Sequence, residues 1–161
     1  MTKQINFLGN KAHWHCVDDP VMGGTSWSQV RLNSRNLLIW AGSLSLENGG
    51  GFASVSQKLS PAINLKGYQG IHIVVQGESK IYKLNLANDN SPNSPRFQLR
   101  FRTVGNEQHF KLAFANLEAS IRGRKVNAQF SPSYLSQIGF LIADQQEGPF
   151  TLNIKSIQPY D

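Results

Sequence analysis

The chain has 161 residues, room for one ordinary domain and not for two. Hydrophobic residues make up 40% and charged residues 16%. The charged share is well below the roughly 25% usual for soluble domains, and Asn, Gln, Ser and Gly take its place, a composition that supports a core but disfavours helices. The net charge of +6 comes from seven basic and four acidic residues in 1–80 and nine and six in 81–161. The excess is therefore spread over a mildly basic surface rather than gathered in a tail.

In chain order, the first candidate strands are 28–32, 37–42 and 52–59. Cleaner alternation follows. Ile71, Ile73 and Val75 alternate with His72, Val74 and Gln76, and Tyr82, Leu84 and Leu86 with Lys83, Asn85 and Ala87. Phe97, Leu99 and Phe101 alternate with Gln98, Arg100 and Arg102, and Phe110, Leu112 and Phe114 with Lys111 and Ala113. Ile138, Phe140 and Ile142 lie on one face of a mostly buried strand, and Phe150, Leu152 and Ile154 close the series. A period of two puts each apolar set on one sheet face, which a second layer must cover. Turn signals stand at 33–36, 47–51, 64–70, 88–95 and 145–149. Ser131-Pro132 suits the start of one short helical turn. About nine short strands with frequent turns predict a single all-β domain over residues 1–161, an antiparallel two-sheet sandwich.

Cys16 is the sole cysteine, so no intrachain disulfide forms, which fits a reducing compartment. Neither a signal peptide nor a membrane span is read from the sequence, and a cytoplasmic location is expected.

Five motifs invite chemistry. Asp18-Asp19-Pro20-Val21-Met22-Gly23-Gly24-Thr25-Ser26 is a shaped loop whose carboxylates either cap backbone donors or meet a cation or sugar hydroxyl. Asn48-Gly49-Gly50-Gly51-Phe52 lacks the Lys-Ser/Thr ending and following helix of a phosphate loop, so it reads as a turn that launches a strand. His13-Trp14-His15-Cys16 has no second His/Cys cluster to complete a metal shell, and His72 and His109 stand isolated, so no metal site is expected. No Gly-x-Ser-x-Gly or other nucleophile motif is present. Arg96, Gln98, Arg100 and Arg102 form a basic stripe on one face of one strand, and Arg122 and Arg124 add a second cluster. With no aromatics interleaved, the stripe reads as a solvated or anion-facing surface and not as a specific nucleic-acid platform.

The motifs also carry a family resemblance. Trp14 is followed by Asp18-Asp19-x-Val21-Met22-Gly23-Gly24-x-Ser26, then Gly42-x-Leu44-Ser45 and Asn48-Gly49-Gly50-Gly51-Phe52-Ala53-Ser54-Val55. Tyr82-x-Leu84-x-Leu86, Arg122-Gly123-Arg124, Ile138-Gly139-Phe140-Leu141-Ile142-Ala143-Asp144-Gln145-Gln146 and Gly148-Pro149-Phe150-x-Leu152-x-Ile154 complete the pattern. In this order they resemble the complex I intermediate-associated protein family in its compact bacterial form. The chain departs from the family pattern at Gly77-Glu78-Ser79, His109-Phe110 and Ala113. The resemblance implies a jelly-roll of the galactose-binding type and a chaperone-like role, since mitochondrial members assist assembly of respiratory complex I.

The expected function is a non-catalytic binding or assembly domain for a protein partner, with no cofactor. The alternative is a carbohydrate- or small-ligand-binding module, for which Trp27, Trp40, Asn48 and Asp144 are suitable side-chain types. The expected contact surface gathers Asp18, Asp19, Met22, Gly23, Gly24 and Ser26 with Asn48, Gly50 and Phe52 and with Asp144 and Gln145, because sandwiches carry binding on their loops.

Overall fold

The computed structural model describes residues 7–8, 14–18, 26–35, 37–47, 51–144 and 146–161. Among the described residues the expected alternation becomes twelve strands: β1 (Trp14–Asp18), β2 (Trp27–Leu32), β3 (Leu38–Leu44), β4 (Ala53–Ile63), β5 (Gly70–Gln76), β6 (Ile81–Ala87), β7 (Arg96–Arg102), β8 (Glu107–Ala113), β9 (Glu118–Ile121), β10 (Arg124–Lys125), β11 (Leu135–Ile142) and β12 (Gly148–Tyr160). They form a seven-stranded sheet, in the order β1-β4-β11-β6-β7-β9-β10, and a five-stranded sheet, in the order β2-β3-β12-β5-β8. Every pairing is antiparallel. Helical structure among the described residues is limited to short 3-10 turns, at Phe114–Asn116, at Pro132–Tyr134 and at Glu47, and no helix there is long and apolar enough to cross a membrane.

The alternating apolar residues face inward and interlock. Trp40 of β3 is 0% exposed and sits edge-on to Phe150 of β12 at 4.9 Å, with Tyr82 of the opposite sheet at 6.0 Å. Tyr82 is also fully buried, and its hydroxyl donates across the sandwich to the Thr151 carbonyl at 3.3 Å. Burial, reinforced by Glu78, raises its phenol pKa far above the usual value. Phe101, Phe140, Leu84, Ile73 and Leu152 fill the space between the layers.

Two loops show how polar side chains hold the turns. Asn33 accepts backbone bonds from Arg35 and Leu37 at 2.9 and 3.0 Å, closing the β2–β3 turn. Asn88 clamps the segment before β11, donating to the carbonyls of Ser131 and Tyr134 and accepting from the Ser131 amide. Ser131 and Pro132 do start a helical turn as expected, but the serine side chain makes no capping bond.

The registers bring one set of strand ends together. Asp18 pairs with Ala53, and Ala53 with Ile142, two residues before Asp144. In the other sheet, Trp27 pairs with Ser43 and Ser43 with Pro149. The backbone leading into 19–25 and 48–50 therefore reaches the same end of the sandwich as the turn that carries Asp144.

Candidate functional site

The outer face of the seven-stranded sheet is polar by the same alternation that makes its inner face apolar. His15, Ser56, Gly139, Asn85, Gln98 and Glu118 line up across β1, β4, β11, β6, β7 and β9. Gln98 donates to Asn85 Oδ1 at 3.3 Å, and Gln137, in a neighbouring row, donates to Ser56 Oγ at 3.0 Å. Gly139 keeps the middle of this face bare. A Cβ there would overlap the Val55 carbonyl oxygen and come within 2.8 Å of Ser56 Cα.

Over β6, β7 and β9 the face deepens into a groove of about 460 Å³. Lys83, Gln98, Arg100, Glu118, Ser120, Lys125 and Asp144 contribute to its lining. Asp144 is delivered by the turn between β11 and β12, where its φ of +60° lies in the left-handed region that Asp tolerates better than most residues. Gln146 fixes that turn. Its amide accepts from Ile81 N at 2.8 Å and donates to Ile81 O at 2.7 Å and Ala143 O at 2.9 Å. Held this way, Asp144 meets Arg100 in a two-point pair, Nε to Oδ2 and Nη2 to Oδ1, each 3.1 Å. Lys83 Nζ lies 3.8 Å from the same carboxylate. The Arg100 hydrogen bonds are the main reason that the Asp144 carboxyl sits below its ordinary value of 3.8; partial burial opposes them and Lys83 adds to them. Arg100 is held correspondingly higher than usual.

The structure thus joins two groups of residues that the sequence kept apart, Asp144 and the basic stripe. The rest of the stripe disperses. Arg96 donates to the carbonyls of Ser94 and Ser91, both at 3.2 Å, and Arg122 to Asn93 Oδ1 at 2.9 Å. Arg102 and Arg124 are exposed.

Among the loop candidates, Phe52 is exposed, whereas Ser26 is 0% exposed. Ser26 was expected at the contact surface. Instead its hydroxyl accepts from Ser45 N at 2.9 Å and donates to Ser45 O at 3.3 Å, so it pins the base of a loop. Asp18 closes β1 opposite Ala53. Asp19, Met22, Gly23, Gly24, Asn48, Gly50 and Gln145 lie outside the described residues. The two tryptophans named for sugar stacking separate: Trp40 is core, because β3 turns its even positions inward, and Trp27 is 53% exposed on edge strand β2.

A second cavity, about 380 Å³, opens near the exposed face of the five-stranded sheet beside Gln76, Glu78, Ser79, Thr151 and Asn153. Asn153 Oδ1 is buried there without a hydrogen-bond partner. On this face the reading of His72 and His109 as isolated fails. Pairing of β5 with β8 sets His72 Nε2 3.2 Å from His109 Nδ1. Local sequence carries no signal for this, since 37 residues separate the two. No group of three or more His, Cys, Asp or Glu side chains suited to a metal occurs among the described residues.

Solved structures share the architecture. The family 11 carbohydrate-binding module of the cellulosomal cellulase Lic26A-Cel5E of Clostridium thermocellum superposes with a TM-score of 0.72 at 11% identity, covering 98% of this chain and 93% of that one. The Clostridium thermocellum family 11 module in complex with a β-1,3-1,4-mixed-linked tetrasaccharide also gives 0.72, at 10% identity, covering 98% and 94%. The agarase AgWH50C gives 0.63 at 9% identity, covering 99% of this chain but 25% of its own. At such identities the likeness concerns the fold alone, a jelly-roll sandwich. No curated protein matches by sequence. The model of the family described as complex I intermediate-associated protein 30 (CIA30) matches residues 5–154, and the chain belongs to that family.

Proposed function

We propose that this chain is a non-catalytic binding domain of the assembly-factor type, which holds a protein partner such as a respiratory-complex intermediate in the groove of its seven-stranded sheet. The charge of the groove carries this reading. Lys83, Arg100 and Lys125 face Glu118 and Asp144, and among the described residues the lining contains no aromatic ring. Neutral sugars are usually gripped by an apolar ring face with a few planar polar groups, whereas fixed charges on a rigid sheet select charged peptide segments and orient them. Family membership supports the same reading. The contacts expected from the sequence at Asp18, Asp19, Met22, Gly23, Gly24, Asn48, Gly50, Phe52 and Gln145 are proposed as further points of attachment for the partner.

A photo-crosslinking residue at Ser120, in cells that make this protein, tests the reading. Capture of a respiratory-complex subunit, lost in the Arg100→Glu variant, is the expected result. Capture unchanged by Arg100→Glu, or none at all, would sink it.

A second reading, carbohydrate binding, draws on the exposed face of the five-stranded sheet. Trp27, Gln29, Thr151, Asn153 and Gln76 share that face, one ring with several amides and a hydroxyl. The likeness of fold to carbohydrate-binding modules supports it. Retardation on mixed-linkage glucan gels that Trp27→Ala abolishes would favour this reading over the first.

A further inference from the structure

His72 and His109 sit diagonally on the outer face of the five-stranded sheet. His109 pairs with Val74 across the β5–β8 ladder and His72 with Lys111. The rings are 5.3 Å apart between centroids and inclined at 34°, and the facing nitrogens are 3.2 Å apart. Two imidazole nitrogens bound to one first-row divalent ion at 2.0–2.1 Å stand about 2.9 Å apart at a right angle and about 3.4 Å apart at the tetrahedral angle. The observed separation falls between these, so the pair can chelate an ion with no change in the distance between its nitrogens, once both rings turn to aim their lone pairs at it.

We propose that His72 and His109 form a two-histidine site for a late first-row divalent cation, with its remaining positions filled by water or by a side chain of a bound partner. Imidazole is the ligand type that suits Zn, Cu and Ni. The scaffold is rigid, since both residues lie within paired strands and Val74, the cross-strand partner of His109, is buried. In the metal-free pair one facing nitrogen donates and the other accepts. Binding needs both lone pairs, so the donor's proton moves to the other nitrogen of its ring and no net proton is released from a neutral pair.

Lys111 opposes a cation but leans away. Its ammonium lies 5.6 Å from the centre of the Tyr160 ring, in the row of Gly70, on the far side of His72 from His109. Gln158 and Ser156 of β12 flank the pair without charge, and Glu107, the nearest carboxylate along β8, is occupied by Lys155 at 3.2 Å.

Calorimetric titration of the full chain with Zn²⁺ alone, at about pH 7.5 where imidazole is neutral, tests the site. One saturable ion per chain is expected. His72→Gln and His109→Gln should each weaken it by about tenfold or more. A His13→Gln/His15→Gln double variant should retain it, and acidification below the imidazole range should abolish it. Both substituted rings are on the surface, so thermal melts should stay within a few degrees of the parent. Absence of a saturable signal, or binding that survives His72→Gln, or binding lost in the His13/His15 variant alone, would overturn the proposal.

Discussion

The two outer faces of the sandwich make an instructive pair. Both arise from the same alternation, and both cover inner faces of the same apolar kind. On the seven-stranded sheet the outward positions include amides, hydroxyls, His15, Glu118 and a linked Lys83–Asp144–Arg100 cluster, cleared in the middle by Gly139. On the five-stranded sheet they are an exposed Trp27, a histidine pair and a lysine resting on Tyr160. The inward residues specify the architecture and tolerate few alternatives. The outward ones are released from that duty, and there the two sheets diverge into a charged groove and a flatter surface with imidazole and indole. Binding chemistry in this molecule should therefore be sought by face, with each outward row treated as a unit.

Substitutions can break or sharpen that contrast. The largest effect should come from Trp40, which belongs to neither outer face and touches aromatic rings of both sheets. Trp40→Ala should lower unfolding free energy by about 3–5 kcal/mol, read as a shift of the urea midpoint, and should disturb both faces equally. Gln146 comes next. Gln146→Ala strips the Ile81 amide and carbonyl of their partners and should cost about 1–3 kcal/mol. Because this residue aims Asp144, the same variant should weaken partner capture through the charged groove while leaving Zn²⁺ binding on the other face unchanged. The smallest effect is expected from Asp144→Asn, about 0.2–1 kcal/mol, since the pair is partly open to solvent and screened. Its sign with pH is fixed. Arg100 and Lys83 depress the carboxyl pKa in the folded state, so the contribution is full above the unfolded value of 3.8 and is lost as pH falls through the lower folded value. Urea melts of parent and variant should converge in that acid window and differ above it.

Much of this was legible in the sequence, for reasons particular residues make plain. Tyr82-x-Leu84-x-Leu86 and Phe97-x-Leu99-x-Phe101 announce half-buried strands because a sandwich demands strict alternation. The short strands β9 and β10 escaped notice: four and two residues at a sheet edge need no apolar rhythm. Strand β12 reads clearly only near Phe150 to Ile154, because the register shift after Ile154 breaks its period before Ile157 is again buried. Trp27 and Trp40 look alike in sequence, and only strand parity sends one to solvent and the other to the core. The basic stripe was visible, but its carboxylate partner Asp144 lies 44 residues beyond Arg100 and arrives through a turn in another part of the sheet. His72 and His109 belong to strands that become neighbours only after β6 and β7 have passed to the opposite layer. Such pairings are set by topology, and a window moved along the chain does not contain them.

The order of strands also has a bearing on biosynthesis. Strand β11 joins β4 to β6, and β12 joins β3 to β5, so residues 135–160 supply the interior seam of each layer. A nascent polypeptide halted before residue 135 holds two unconnected halves of each layer, with bare strand edges and apolar surface turned to water. Closure must wait until residues 135–160 have been translated, and contacts this distant along the chain form slowly. A chain of this topology is thus most in need of protection before its two seam strands have been made.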